Sequence, residues 1–269
     1  MMINRKTLLA SGVAAAIFAV SAASAAPVAS NVSSAAAQPI FNVPNGSTVL
    51  FDQTANPGTN GAPAQNFSSS YDSYDNEAAD DFVVPAGGWT VSSVNIISTG
   101  TAGFTGATPA AVTFYPDAGG LPGATPVCSY PTAAATVTAT DTSIVLPSGC
   151  ALGAGTYWVG VSVDFNFVTQ GQIFWSTQSS GSGSQAVWRN PGDAFGSGCT
   201  NFDTLPNCAV AGGVESQLGF QILGAVGGGG GVPAEPPREL PTLSQWSALL
   251  AVGGLALLGL FGVRRRSRI

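Results

Sequence analysis

Gly155-Thr156-Tyr157-Trp158-Val159-Gly160-Val161-Ser162-Val163-Asp164-Phe165-Asn166 is the stretch that decides the fold. Tyr157, Val159, Val161, Val163 and Phe165 fall on one side of a period-two pattern. Trp158, Gly160, Ser162, Asp164 and Asn166 fall on the other. That alternation is the mark of a β-strand with one face toward a core. Working outward, Leu218, Phe220 and Ile222 alternate with Gln217, Gly219 and Gln221, and Val112 and Phe114 alternate with Thr113 and Tyr115. In Trp89-Thr90-Val91-Ser92-Ser93-Val94-Asn95-Ile96 the phase slips at Ser92-Ser93, which predicts a bulge. Further strands are predicted at 47–52, 81–85, 134–139, 142–147, 172–177 and 185–189, with turn residues between them, as in Pro116-Asp117-Ala118-Gly119-Gly120-Leu121-Pro122-Gly123.

About ten antiparallel strands of this kind predict an all-β domain over 46–225: a single β-sandwich, jelly-roll-like, with no helix of its own. Residues 26–45 are Ala/Ser/Pro-rich and read as irregular. Residues 226–239, with Gly227 to Gly231 and then Pro233, Pro236 and Pro237, read as a flexible-then-stiff linker.

Both ends carry export signals. Arg5 and Lys6 precede the apolar run Leu8–Val20, and Ala23-Ser24-Ala25 is a small-x-small site, so 1–25 reads as a signal peptide. Signal peptidase is expected to cut after Ala25, because a cut after Ala26 would put Pro27 directly behind the scissile bond. At the other end, Leu240-Pro241-Thr242-Leu243-Ser244-Gln245-Trp246 leads into an uncharged apolar run, 247–263, followed by Arg264, Arg265, Arg266 and Arg268. Such a run is near the short limit for spanning a bilayer. Trp246 suits the headgroup boundary, and the arginines should stay cytoplasmic by the positive-inside rule. The predicted helix 247–263 would therefore anchor the domain in a membrane with its bulk outside.

The order of motif, apolar helix and arginines over 240–269 resembles the IPTL-CTERM sorting signal of Gram-negative bacteria. Pro241, Thr242, Leu243, Ser244 and Trp246 fit that pattern, Leu240 stands for the usual isoleucine, and Ser247 for the usual glycine. A Gram-positive sortase signal would need threonine where Leu243 stands. The resemblance implies recognition and removal by an exosortase-type membrane protease, with the protein ending at the cell surface or outside the cell. Residues 79–223, with Ala79-Asp80-Asp81-Phe82-Val83-Val84-Pro85 and the Pro116–Gly123 turn, resemble a β-sandwich ectodomain of bacterial exported proteins with varied C-terminal anchors. That likeness implies a fold and no catalytic residues.

With both ends removed, two arginines face fourteen acids, a net charge of −12 with no lysine or histidine. Nucleic acid and anionic lipid are thereby excluded as partners. The four cysteines of an exported chain predict disulfides. Of three possible pairings the local one is favoured: Cys128 with Cys150, and Cys199 with Cys208.

Without histidine there is no Ser-His-Asp triad, Cys-His pair or histidine-ligated zinc. Adjacent Asp80 and Asp81 would face opposite sides of a strand, a poor start for a glycosidase pair. The acidic segment Asp72, Asp75, Asn76, Glu77, Asp80, Asp81 has two readings. Asp72, Asp75, Glu77 and Asp80 could ligate calcium, which takes hard oxygen ligands, or the segment is a solvated loop entering a strand. Trp158, Tyr115 and Trp188 also have two readings, as an exposed platform for a polysaccharide or as a second packing layer. The leading function is a non-enzymatic surface or extracellular-matrix protein. A surface-displayed carbohydrate-binding module is the alternative and a secreted hydrolase the second alternative.

Overall fold

The computed structural model describes residues 26–32, 41 and 43–227. Ala23, Ala25, the sorting motif, the apolar run 247–263 and the terminal arginines lie outside the described residues. No helix among the described residues is long and apolar enough to cross a membrane.

The domain is all-β and almost wholly antiparallel. In chain order its strands are β1 (Asn31–Val32), β2 (Thr48–Gln53), β3 (Pro57–Pro63), β4 (Gln65–Phe67), β5 (Glu77–Val84), β6 (Trp89–Gly100), β7 (Gly106–Pro116) and β8 (Cys128–Val137). They continue with β9 (Asp141–Leu152), β10 (Gly155–Phe165), β11 (Ile173–Gln178), β12 (Val187–Arg189), β13 (Asp203–Thr204), β14 (Gln217–Leu218) and β15 (Phe220–Val226). The main path runs β2-β15-β6-β9-β8-β7-β10-β5-β12-β13. The far end of β6 leaves this path and pairs with β11, which leads on to β3 and β1 and also holds β14. Only β4 runs parallel to its neighbour, β10.

This long sheet curls into a half-barrel, so strands far apart along the path meet face to face. Phe82 on β5 lies 6.1 Å from Phe51 on β2, 6.5 Å from Phe220 on β15 and 6.1 Å from Trp89 on β6, ring centre to ring centre. Right-handed strand twist makes a sheet of this width curl rather than stay flat. The concave side holds the core, including Val159, Val161, Val163 and Phe165 of β10 as their alternation requires.

The bulge at Ser92-Ser93 is present: the register of β6 against β9 shifts between Val91 and Ser93. Four expectations need correction. Short helical turns occur at Phe167–Gln170, Ser69–Tyr74 and Ala211–Gly213. Residues 26–32 are not irregular filler: Pro27 is buried, Val28 is held through both its N–H and its C=O by the Gln172 carboxamide, and β1 pairs with β3. Strand β3 has no signature in the sequence, because Pro57-Gly58-Thr59-Asn60-Gly61-Ala62-Pro63 lacks alternation. Its glycines permit close approach; a Cβ on Gly61 would stand 2.8 Å from that of Phe174 on β11. Finally, the outer face of β10 is not open. Trp158 is fully buried there in a small second apolar cluster with Tyr115 of β7, Val187 of β12 and Phe202 of the loop after β12.

Candidate functional site

The acidic segment enters the sheet at β5, and β5 disperses it. Strand alternation turns Ala78, Asp80 and Phe82 inward and Glu77, Ala79 and Asp81 outward. Asp80 is fully buried and accepts from Leu218 N at 2.7 Å, Asp81 N at 2.9 Å and Gln53 Nε2 at 3.0 Å. Its carboxylate thereby ties β5 to β2 and β14 across the core. Burial pushes its pKa well above the ordinary carboxylate value, against the three donors that favour the charge.

On the opposite side of β5, Asp81 accepts Ser184 N at 3.0 Å. Burial raises its pKa, and the nearby Asp117 charge adds to the rise. The Ser179–Ser184 loop closes over this carboxylate. Gly183, at φ +89°, approaches so closely that a Cβ would run into it. Gln53 and Gln217 anchor the same loop, through Ser182 N to Gln53 Oε1 at 2.8 Å and Gln217 Nε2 to Ser184 O at 2.7 Å.

Glu77 pairs with Arg189, Nη2 to Oε2 at 2.5 Å, and accepts from Tyr115 Oη at 3.0 Å. Arg189, the only basic residue among those described, also lies 4.3 Å over the Phe202 ring. Asp75 accepts Phe67 N at 2.6 Å, and Asp72 is in the preceding 3-10 turn. The four proposed calcium ligands are therefore not brought together: Glu77 and Asp80 face opposite sides of one strand, and each carboxylate bonded here has its own structural partner. Among the described residues, no three such side chains could hold a metal.

The aromatic platform is likewise corrected. Trp158, Tyr115 and Trp188 are all buried, with Trp158 Nε1 donating to Asp117 at 2.9 Å and Trp188 Nε1 to Pro63 O at 3.0 Å. Buried indoles need such acceptors, and these rings pack the outer layer and the core instead of facing solvent.

The cysteines pair as expected, Cys128 with Cys150 and Cys199 with Cys208, at Cα separations of 6.1 and 5.7 Å. The first joins the open end of the β8–β9 hairpin, where Cys128 pairs along β7 and Cys150 along β6. The second closes the loop that covers Trp158. Two such bonds belong to an oxidising, extracytoplasmic compartment.

Two concavities stand out among the described residues. One, of about 300 Å³, lies beside β4 and the helical turn; there Asn66 Nδ2 donates to Asp164 at 2.8 Å, and Asn166 caps the helical turn through Val168 N and Thr169 N. The other, of about 160 Å³, lies on the outer face of β6, β9 and β8. Reading the sequence singled out neither. Ser93 is legible in the sequence only as a bulge position, and Thr136 and Ser143 fall inside the predicted strands 134–139 and 142–147 with nothing to set them apart. No family model, curated protein or solved structure matches this chain.

Proposed function

We propose that this is an exported, non-enzymatic surface or extracellular-matrix protein of a Gram-negative bacterium, delivered through an IPTL-CTERM-like, exosortase-type signal. The observation that carries the reading is the pair of disulfides, in a domain whose sequence is flanked by a leader-like segment and by a motif, an apolar run and arginines. Signal peptidase cuts after Ala25; Ala26 is exposed, so a new terminus fits there, and Pro27 and Val28 then begin the fold. The apolar run 247–263 holds the protein in the inner membrane, with Arg264 to Arg268 inside, until the exosortase-type protease acts near Leu240. The curled sheet is the jelly-roll-like β-sandwich ectodomain that this tail displays. Its carboxylates and indoles serve mainly to hold strands and loops, which favours display over catalysis.

Mass spectrometry of the protein from its native host tests the reading. The expected mature chain begins at Ala26 and lacks the segment beyond about Leu240. Surface material carrying both Met1 and Ile269 would defeat it.

A further inference from the structure

In the cavity on the outer face of β6, β9 and β8 several polar atoms lack partners, and one of them is fully buried. Ser93 is 1% exposed and its Oγ is the one buried side-chain polar atom among the described residues without a hydrogen bond. A buried hydroxyl left unpaired costs about 1–3 kcal/mol, and native folds keep such groups mainly where a ligand or water completes them.

Its neighbours are also poised. On β6, Asn95 (1% exposed) donates its amide to Gln221, which donates to Asp52, a polar row running across the sheet. Asn95 Oδ1 has no partner among the described residues. Asp141, 4% exposed, takes the Thr138 and Thr140 hydroxyls on Oδ2 alone, at 2.7 and 3.1 Å, and its Oδ1 has none. Ser143 and Thr136 are cross-strand partners, and Ser143 pairs with Asn95, so all three side chains stand on one face. Neither Ser143 nor Thr136 uses its hydroxyl within the described residues. Pro44 and Val145 supply an apolar wall.

The chemistry of this lining selects its occupant. A carboxylate with no cation beside it rejects anions. A single carboxylate is too few for the hard, charged shell a divalent cation takes. Hydroxyl, carboxamide and carboxylate groups would be left unpaired by an apolar molecule, at a cost. A neutral ligand rich in hydroxyls both donates to Asp141 and Asn95 and accepts from Ser93, Ser143 and Thr136, while its C–H face meets Pro44 and Val145. A cavity of roughly 150 Å³ takes a ring the size of benzene; this one measures about 160 Å³ and opens to solvent beside exposed Thr136 and Val145, so a pyranose ring enters it with its outer hydroxyls at the mouth. We propose that it binds one neutral hexopyranose unit of a polysaccharide. The site does not depend on how the C-terminal tail is processed.

The test uses the full chain with glucose, galactose and mannose as probes and glucuronate as the charged control, followed by ligand-observed NMR. Saturable binding of at least one neutral hexose is expected, with glucuronate bound much more weakly. Ser93→Ala separates function from structure. It removes an unpaired buried hydroxyl, so the unliganded protein should melt no lower than the parent and up to several degrees higher, while hexose binding weakens about tenfold, the loss of one hydrogen bond. Thr136→Val, on an exposed strand position, should weaken binding with little effect on melting. No saturable hexose signal in the parent, equal binding of glucuronate, or unchanged affinity in both variants would overturn the proposal. So would a melting shift with calcium and none with any hexose.

Discussion

Glu215 shows how much one side chain can decide. Between Ser176 and Gln178 the pairing of β11 with β3 slips, and residues 58–60 of β3 bulge away from the ladder. The Glu215 carboxylate fills the gap: it accepts Thr59 N at 2.8 Å, Asn60 N at 3.1 Å, Thr59 Oγ1 at 3.1 Å, and the Thr177 hydroxyl. Partial burial alone would raise its pKa, but these donors outweigh burial and hold it below the usual value. Glu215→Gln replaces one acceptor oxygen with a donor facing other donors. It should destabilise the domain by about 1–3 kcal/mol at neutral pH. Urea unfolding at pH 7 reads the difference; a midpoint equal to the parent's would mean that water serves these N–H groups equally well.

At the scale of strands, what could be read in advance follows from how local the determinants are. β10 and β15 were legible because one side of each meets a core, and β6 because its slip at Ser92-Ser93 breaks a clear phase. β3 was hidden, since two glycines and two prolines erase the pattern, and what makes it a strand is β11 and Glu215, far away in sequence. Gln53 and Asp80, and likewise Ser93 and Asp141, stand on different strands, so neither the buried carboxylate's partners nor the cavity could be found from spacing. Trp158 had the right phase but a misleading inference, because the layer covering it comes from residues 187–204. The cysteines were legible because both bonds are local. Their energetic order follows from loop length: Cys128 and Cys150 are 22 residues apart, Cys199 and Cys208 only 9. Loop-closure entropy gives about 3.4 against about 2.7 kcal/mol. Replacing Cys128 and Cys150 by serine should lower the unfolding midpoint in urea at least as far as replacing Cys199 and Cys208. The reverse order would show that the loop covering Trp158 needs its staple for packing and not only for chain entropy.

For the whole molecule, the charge balance sets the response to pH. Burial raises the pKa values of Asp75, Asp80 and Asp81, so the folded chain keeps protons that the unfolded chain has lost. Each such group makes stability fall as pH rises, from the unfolded value of 3.8 up through the folded one. The slope is at most about 1.4 kcal/mol per pH unit for one full proton. Glu215 acts oppositely: its contribution is present above the ordinary value of 4.5 and is lost as pH falls through its lowered folded value. The sum is a stability maximum on the acid side, with a decline above it that ends at the folded value of Asp80, the group raised furthest. Mutual repulsion among the many exposed carboxylates has the same sign above the maximum, but salt screens it, whereas a carboxylate 0% exposed like Asp80 is screened much less. Thermal unfolding from pH 4.5 to 8, at low and high salt, should therefore retain a falling limb at high salt. Asp80→Asn keeps an acceptor for Leu218 N and Gln53 but sets an amide against Asp81 N–H. The mismatched hydrogen bond should cost about 1 kcal/mol at the stability maximum, and loss of the titrating group should make the falling limb shallower, so the cost shrinks as pH rises. A limb abolished by salt, or one unchanged in Asp80→Asn, would locate the pH response in the surface charge and leave the buried carboxylate of β5 without a part in it.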